Sequence, residues 1–234
     1  MAIQISGEFR MIHLTFDKLV QNILTVPGIE ADIFIHTWRR DESGLGTFPW
    51  AERGNWHTSM IVFGHGYGLN AYKPRSYALE DYALLEDLKQ YPRSMSMYYS
   101  IKEANRVRKE YEKMMEINYD LVVRYRTDCV IEECPFIACK DLIRSRKSFL
   151  CIPKAKRCKG CDGPCEDSIC DWFAFGTPDT MDVYCSTYDS WLNQKQIPIP
   201  ESMLSMHLQL NKITIERPVV DFYLVEGDGS IRCV

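Results

Sequence analysis

Ile3-Gln4-Ile5-Ser6-Gly7, followed after one helical stretch by Asp32-Ile33-Phe34-Ile35-His36, is the part of the sequence that decides the fold. The first run alternates and ends at Ser6-Gly7, as a strand does when it runs into a glycine turn. Between the runs, Phe16, Leu19, Val20, Ile23 and Leu24 recur at helical spacing, with Thr15 available as N-cap and Pro27-Gly28 as the stop. The second run is short and nearly continuously apolar, the pattern of a strand buried on both faces of a parallel sheet. Strand, helix and strand make a βαβ unit.

The same alternation continues downstream. Tyr77-Ala78-Leu79-Glu80 reads as a brief strand, and Tyr98, Ile101, Ala104, Val107, Tyr111 and Met114 predict a long amphipathic helix from about Ser96 to Ile117, with Lys102, Arg106, Lys109 and Lys113 on its wet side. Tyr119 to Asp128 contains an apolar strand core. Phe149-Leu150-Cys151-Ile152 and Trp172-Phe173-Ala174-Phe175-Gly176 are two more strands. Pro178 opens a helix whose inner face continues through Met181, Tyr184, Cys185, Tyr188 and Trp191 or Leu192, and Pro200-Glu201 opens another that runs to Leu210. Ile213-Thr214-Ile215 and a tail strand follow. From about 39 to 73, glycines and aromatics hold no period, so this segment reads as a long surface excursion of the kind that covers a site. A cysteine-rich insertion occupies about 154–170. The expected fold is α/β: a Rossmann-like, mostly parallel mixed sheet flanked by helices, forming a single domain over 1–234.

Composition narrows the function classes. The 234 residues are 46% hydrophobic and 26% charged, with a net charge of −4, which excludes disorder and coiled coil as descriptions of the whole. With no block of like charges and an acidic balance, no nucleic-acid partner is expected. The longest apolar runs fall far below the roughly 18 residues of a spanning helix, so no transmembrane segment is expected. The first ten residues lack a basic region followed by a long apolar stretch, so no export is expected and the location reads as cytoplasmic, with reduced thiols.

Arg124, Arg126 and Asp128 are in phase at the carboxyl end of the Tyr119–Asp128 strand, where ligands of open α/β sheets gather. Guanidinium groups suit phosphate because the planar fork makes paired, charge-assisted bonds, and a carboxylate beside them can hold a divalent cation that bridges phosphate oxygens. This is the pattern of a pyrophosphate-plus-metal site. On spacing alone it is equally an ion-pair ladder at a strand end. Gly7 and Arg10, after the first strand, permit close backbone approach and a phosphate contact, or form a plain turn. His36 and Trp38 line the same crevice or close their strand as an aromatic pair.

The combination of Ile5-Ser6-Gly7-Glu8-Phe9-Arg10, Asp32 to Trp38, Tyr119 to Asp128, Asp171-Trp172-Phe173-Ala174-Phe175-Gly176 and Pro200-Glu201 resembles small GT-A-fold glycosyltransferase-like proteins of bacterial surface-polysaccharide and viral gene sets. The resemblance covers most of the chain except the excursion and the cysteine insertion. It implies a nucleotide-sugar donor held by Gly7, Arg10, His36, Arg124 and Arg126, and a glycan acceptor. Arg126-Thr127-Asp128 stands where GT-A enzymes carry a D-x-D motif, so Asp128 is the one carboxylate left to hold Mn²⁺ or Mg²⁺, and the arginines can do part of the cation's work on the leaving diphosphate. Replacing Asp128 by Asn is then expected to remove the cation and spare the fold. Sugar transfer also needs a carboxylate as base or stabiliser. Asp171 is the first candidate and Glu201 the second, although Asp171 could equally anchor a loop and Glu201 complement a helix dipole. The other reading, of a different class, is a catalytically silent nucleotide- or glycan-binding domain in which the cysteine loop and the Trp-rich excursion form a partner surface.

Cys158-Lys159-Gly160-Cys161-Asp162-Gly163-Pro164-Cys165, followed by Cys170, has the thiolate density of a tetrahedral zinc site, with Cys170 or Cys151 as the fourth ligand. Disulfides between neighbours, or free thiols, are the other readings. Zn²⁺ would be structural here.

Overall fold

The opening strand, β1 (Ala2–Ser6), is buried along its whole length, which is why its sequence is nearly all small or apolar. The chain then forms β2 (Phe9–Arg10), α1 (Ile12–Leu19) with a π-helical continuation over Val20–Leu24, and β3 (Asp32–Trp38). The computed structural model describes residues 1–39, 62–145, 147–155, 169–192, 194, 196, 198–225 and 231–232. After 62 come β4 (Val62–Phe63), α2 (His65–Tyr72), β5 (Ser76–Glu80), α3 (Glu86–Lys89) and the long α4 (Arg93–Met115). β6 (Val122–Tyr125), β7 (Cys129–Ile131), α5 (Lys140–Ser145), β8 (Leu150–Cys151), β9 (Lys154–Ala155) and β10 (Phe173–Gly176) follow. The last third contains α6 (Pro178–Cys185), α7 (Thr187–Trp191), α8 (Pro200–Leu210), β11 (Ile215–Glu216), β12 (Val219–Val220), β13 (Phe222–Val225) and β14 (Ile231–Arg232).

Seven strands form one sheet in the order β11-β8-β10-β6-β1-β3-β5. β1 lies parallel to both β3 and β6, β3 to β5 and β8 to β11, while β10 is antiparallel to its neighbours β6 and β8. This is a mixed, mostly parallel, Rossmann-like sheet with helices on both faces, in a single domain. One face carries α4: buried Gln4 donates from Nε2 to Asn105 Oδ1 at 2.6 Å, and Phe34 packs against Tyr111. The other carries α1 and α2, with Tyr72 against Phe9 and Phe16. Among the described residues no helix is long and apolar enough to cross a membrane.

Several expectations are corrected by packing. Helix α1 starts at Ile12, capped by Met11 in the left-handed region at φ 52°, and Thr15 is not its N-cap. Thr15 is fully buried and donates to the Thr127 carbonyl at 2.6 Å. Within the excursion expected at 39–73, β4 pairs with β2 and α2 follows; residues 40–61 lie outside the described residues. On α4, Tyr98, Ile101, Ala104 and Val107 are buried as expected, but Met114 is 70% exposed because the helix outruns the sheet beneath it. The helix expected from Pro178 breaks at Ser186 into α6 and α7.

Candidate functional site

From β1 the chain crosses through α1 to β3 on one side, and α4 later brings β6 against the other side of β1. The carboxyl ends of β1 and β6 are therefore the point where strand order reverses, the place where open α/β sheets bind ligands. Gly7 turns the chain there at φ +91°, a conformation that favours glycine, and donates its N–H to the His36 carbonyl at 3.0 Å. Thr127, just past β6, fixes the returning loop. Its Oγ1 accepts from the Arg10 N–H at 2.9 Å and donates to the Glu8 carbonyl at 2.9 Å.

Beside this clamp lies Asp128, wholly buried. Arg126 grips it with Nε 2.7 Å from Oδ1 and Nη2 donating to Oδ2 at 3.0 Å, and Arg10 Nη1 stands 3.9 Å from Oδ2. Burial alone would raise the Asp128 pKa, but the charges of Arg126 and Arg10 hold it below the ordinary carboxylate value. Arg124 sits one layer down on the α4 face, 1% exposed. Its Nη1 donates to the Tyr125 carbonyl, and its Nε has no hydrogen-bond partner among the described residues. Burial lowers its pKa. Ser6 Oγ and Tyr72 Oη are likewise buried and unpartnered among the described residues. Orphaned polar atoms are rare in protein interiors, and Ser6 shares with Arg124 the face of the sheet that α4 covers.

Antiparallel β10 pairs Phe173 with Tyr125, so Asp171, two residues before Phe173, falls beside the turn that carries Arg126 and Asp128. It is 3% exposed. Burial pushes its pKa up, Arg126 and Arg124 only partly oppose this, and Glu201 adds to it. Glu201 opens α8, where the Pro200 carbonyl accepts from Tyr98 Oη at 2.7 Å. The fold thus brings Gly7, Arg10, Arg124, Arg126, Asp128, Asp171 and Glu201 to one end of the sheet from four separate segments.

His36 stands opposite Ser6 at the carboxyl end of β3, with its ring turned under α4. Its ring is wholly buried under α4, with Nδ1 2.6 Å from Ser100 Oγ, Nε2 3.7 Å from Glu80 Oε2, and Trp38 and Tyr99 edge-on. It is a packed histidine closing its strand. His207 is packed too, with Nε2 2.7 Å from the Val183 carbonyl oxygen and Nδ1 2.7 Å from Ser190 Oγ.

A divalent cation at Asp128 would compete with Arg126 for the carboxylate. Both carboxylate oxygens already face Arg126, and no group of three His, Cys, Asp or Glu side chains able to hold a metal occurs among the described residues. Of the zinc candidates, Cys158, Cys161 and Cys165 lie outside the described residues. Cys170 accepts the Trp172 N–H at 3.4 Å, its thiol pushed up to about 12 by burial, and Cys151 lies against Cys139.

Sequence reading passed over Ser6 and Thr127, although both stand inside the quoted motifs. Tyr72 and Tyr98 carry no local signal that separates them from ordinary core aromatics. No protein-family model matches the chain, and no curated protein matches it. Among solved structures, the crystal structure of a 4-diphosphocytidyl-2C-methyl-D-erythritol synthase from Anaerococcus prevotii DSM 20548 is similar at 13% identity, over 94% of this chain and 86% of that chain, with a TM-score of 0.43; a likeness this distant says nothing about the site.

Proposed function

We propose that the crevice at the ends of β1 and β6 binds the diphosphate of a nucleotide sugar and that the protein transfers the sugar to a glycan acceptor. The observation that carries this reading is the pairing of two buried carboxylates, pKa values driven apart, with three arginines at one switch point. Separated pKa values are how a site assigns different roles to like groups. Asp128 stays ionised and fixes Arg126 and Arg10, whose positive charge stabilises the departing diphosphate. Asp171, with its raised pKa, takes the proton of the acceptor hydroxyl as that oxygen bonds to the sugar and the sugar–phosphate bond breaks. Glu201 orients the acceptor. No step uses Mn²⁺ or Mg²⁺, because the arginines supply the positive charge, and the cysteine insertion takes no part.

The test is a melting-temperature panel of UDP, GDP, CDP and TDP and their sugars, with EDTA or Mn²⁺ present. A ligand at about 100 times its Kd adds about 2.7 kcal/mol, which is about 5–10 °C for a domain of this size. At least one nucleotide should produce such a rise with EDTA present. Silence across the panel would favour the non-catalytic binding domain.

A further inference from the structure

Cys151 on β8 and Cys139, in the turn before α5, are separated by 12 positions in sequence, yet their sulfurs lie 3.6 Å apart. They are 0% and 3% exposed. The other described cysteines, Cys129, Cys134, Cys170 and Cys185, show no such sulfur–sulfur contact among the described residues. Nothing in the proposed transfer uses this pair. We propose that Cys139 and Cys151 form a redox site that closes to an intramolecular disulfide when it meets a low-molecular-weight disulfide, tying the segment before α5 to the central sheet.

The two thiols have unequal roles. Cys139 lies in the turn before α5, whereas Cys151 is held on β8 within the central sheet. Cys139 is therefore the thiol that meets the oxidant first and attacks it as the thiolate. Its sulfur bonds to one sulfur of the oxidant, whose S–S bond breaks and expels one small thiolate. Cys151 then gives its proton to solvent and attacks the Cys139 sulfur, expelling the second thiolate. The protein loses two protons and two electrons, and the oxidant leaves as two thiols. Access requires local opening, and α5 has no fully buried residue to hold it shut.

The experiment incubates reduced protein with oxidised glutathione, alkylates the remaining thiols and digests with trypsin. The expected product is peptide 127–140, alkylated on Cys129 and Cys134, linked through Cys139 to peptide 148–154, at a mass two hydrogens below the sum of the two peptides carrying those two alkyl groups. Cys139→Ser should abolish the link, and Cys151→Ser should leave glutathione trapped on Cys139, because the resolving thiol is gone. The oxidised wild type should melt several degrees above the reduced form, since closing this loop constrains the unfolded chain. Full alkylation of Cys139 and Cys151 after oxidant, or a link from either one to a cysteine of the 158–170 run, overturns the proposal. So does an unchanged melting temperature, which removes the tether. The link is read on the wild type, so a variant that fails to fold does not bear on the outcome.

Discussion

Asp128 and Asp171 are both shut off from solvent at the ends of adjacent strands, and their surroundings push them in opposite directions. Burial raises Asp171, so the folded protein holds its proton more tightly than the unfolded chain does. Its stabilising contribution is then full below the unfolded pKa of about 3.9 and is lost as pH rises through the higher folded value. Asp171→Asn should therefore raise the melting temperature at neutral pH, with the gain vanishing near pH 4, while turnover falls by about 10²–10⁴. A variant that stays active, or that melts lower at neutral pH, sinks the role given to Asp171. Asp128 behaves in the reverse sense. Burial would raise its pKa, but Arg126 and Arg10 outweigh burial and lower it, so its contribution is full above about pH 3.9 and is lost as pH falls through the lower folded value. Asp128→Asn strands Arg126 beside an uncharged amide and should cost roughly 3–5 kcal/mol in urea unfolding. Motif reading located Asp128 but expected this substitution to spare the fold, because a string of letters shows that a carboxylate is in phase with arginines and not that it is buried against them.

At the scale of elements, α2 shows why part of the excursion looked irregular. It contains Gly66 and Gly68, and glycine erases helical periodicity from a sequence. The two glycines do different things. A Cβ on Gly68 would lie 2.1 Å from Phe9 Cδ2, so α2 can seat against β2 only without a side chain there, whereas a Cβ on Gly66 meets nothing within 4 Å. Gly68→Ala should cost about 1–3 kcal/mol by forcing the Phe9 ring aside. Gly66→Ala should be neutral or stabilise by up to about 1 kcal/mol. Equal effects in chemical denaturation would mean that Phe9 does not occupy the Gly68 notch. The start of α1 was hidden for a related reason: Thr15 has the chemistry of an N-cap, but its hydroxyl serves a strand turn 112 positions away, and no local pattern encodes so distant a partner.

For the molecule as a whole, the βαβ opening and the α/β class were legible because buried parallel strands write themselves as apolar runs. The strand order and the reversed direction of β10 were not, since pairing is set by contacts far apart in sequence. That order makes the site, because only β10 lying against β6 brings Asp171 to Arg126. It also fixes where a bound nucleoside diphosphate must slow amide exchange. Ordering the crevice should protect residues 6–10 after β1, 126–128 after β6, 170–172 before β10 and the first turn of α8, because these backbones close around the ligand and local opening there becomes costlier. β5 and β11, at the two edges of the sheet, should exchange as before. Hydrogen–deuterium exchange with and without the nucleotide that gives the largest thermal shift checks this. Slowing centred instead on the carboxyl end of β3, around Trp38 and Tyr82, would place the ligand on the aromatic cluster there and displace the arginine crevice as the binding site.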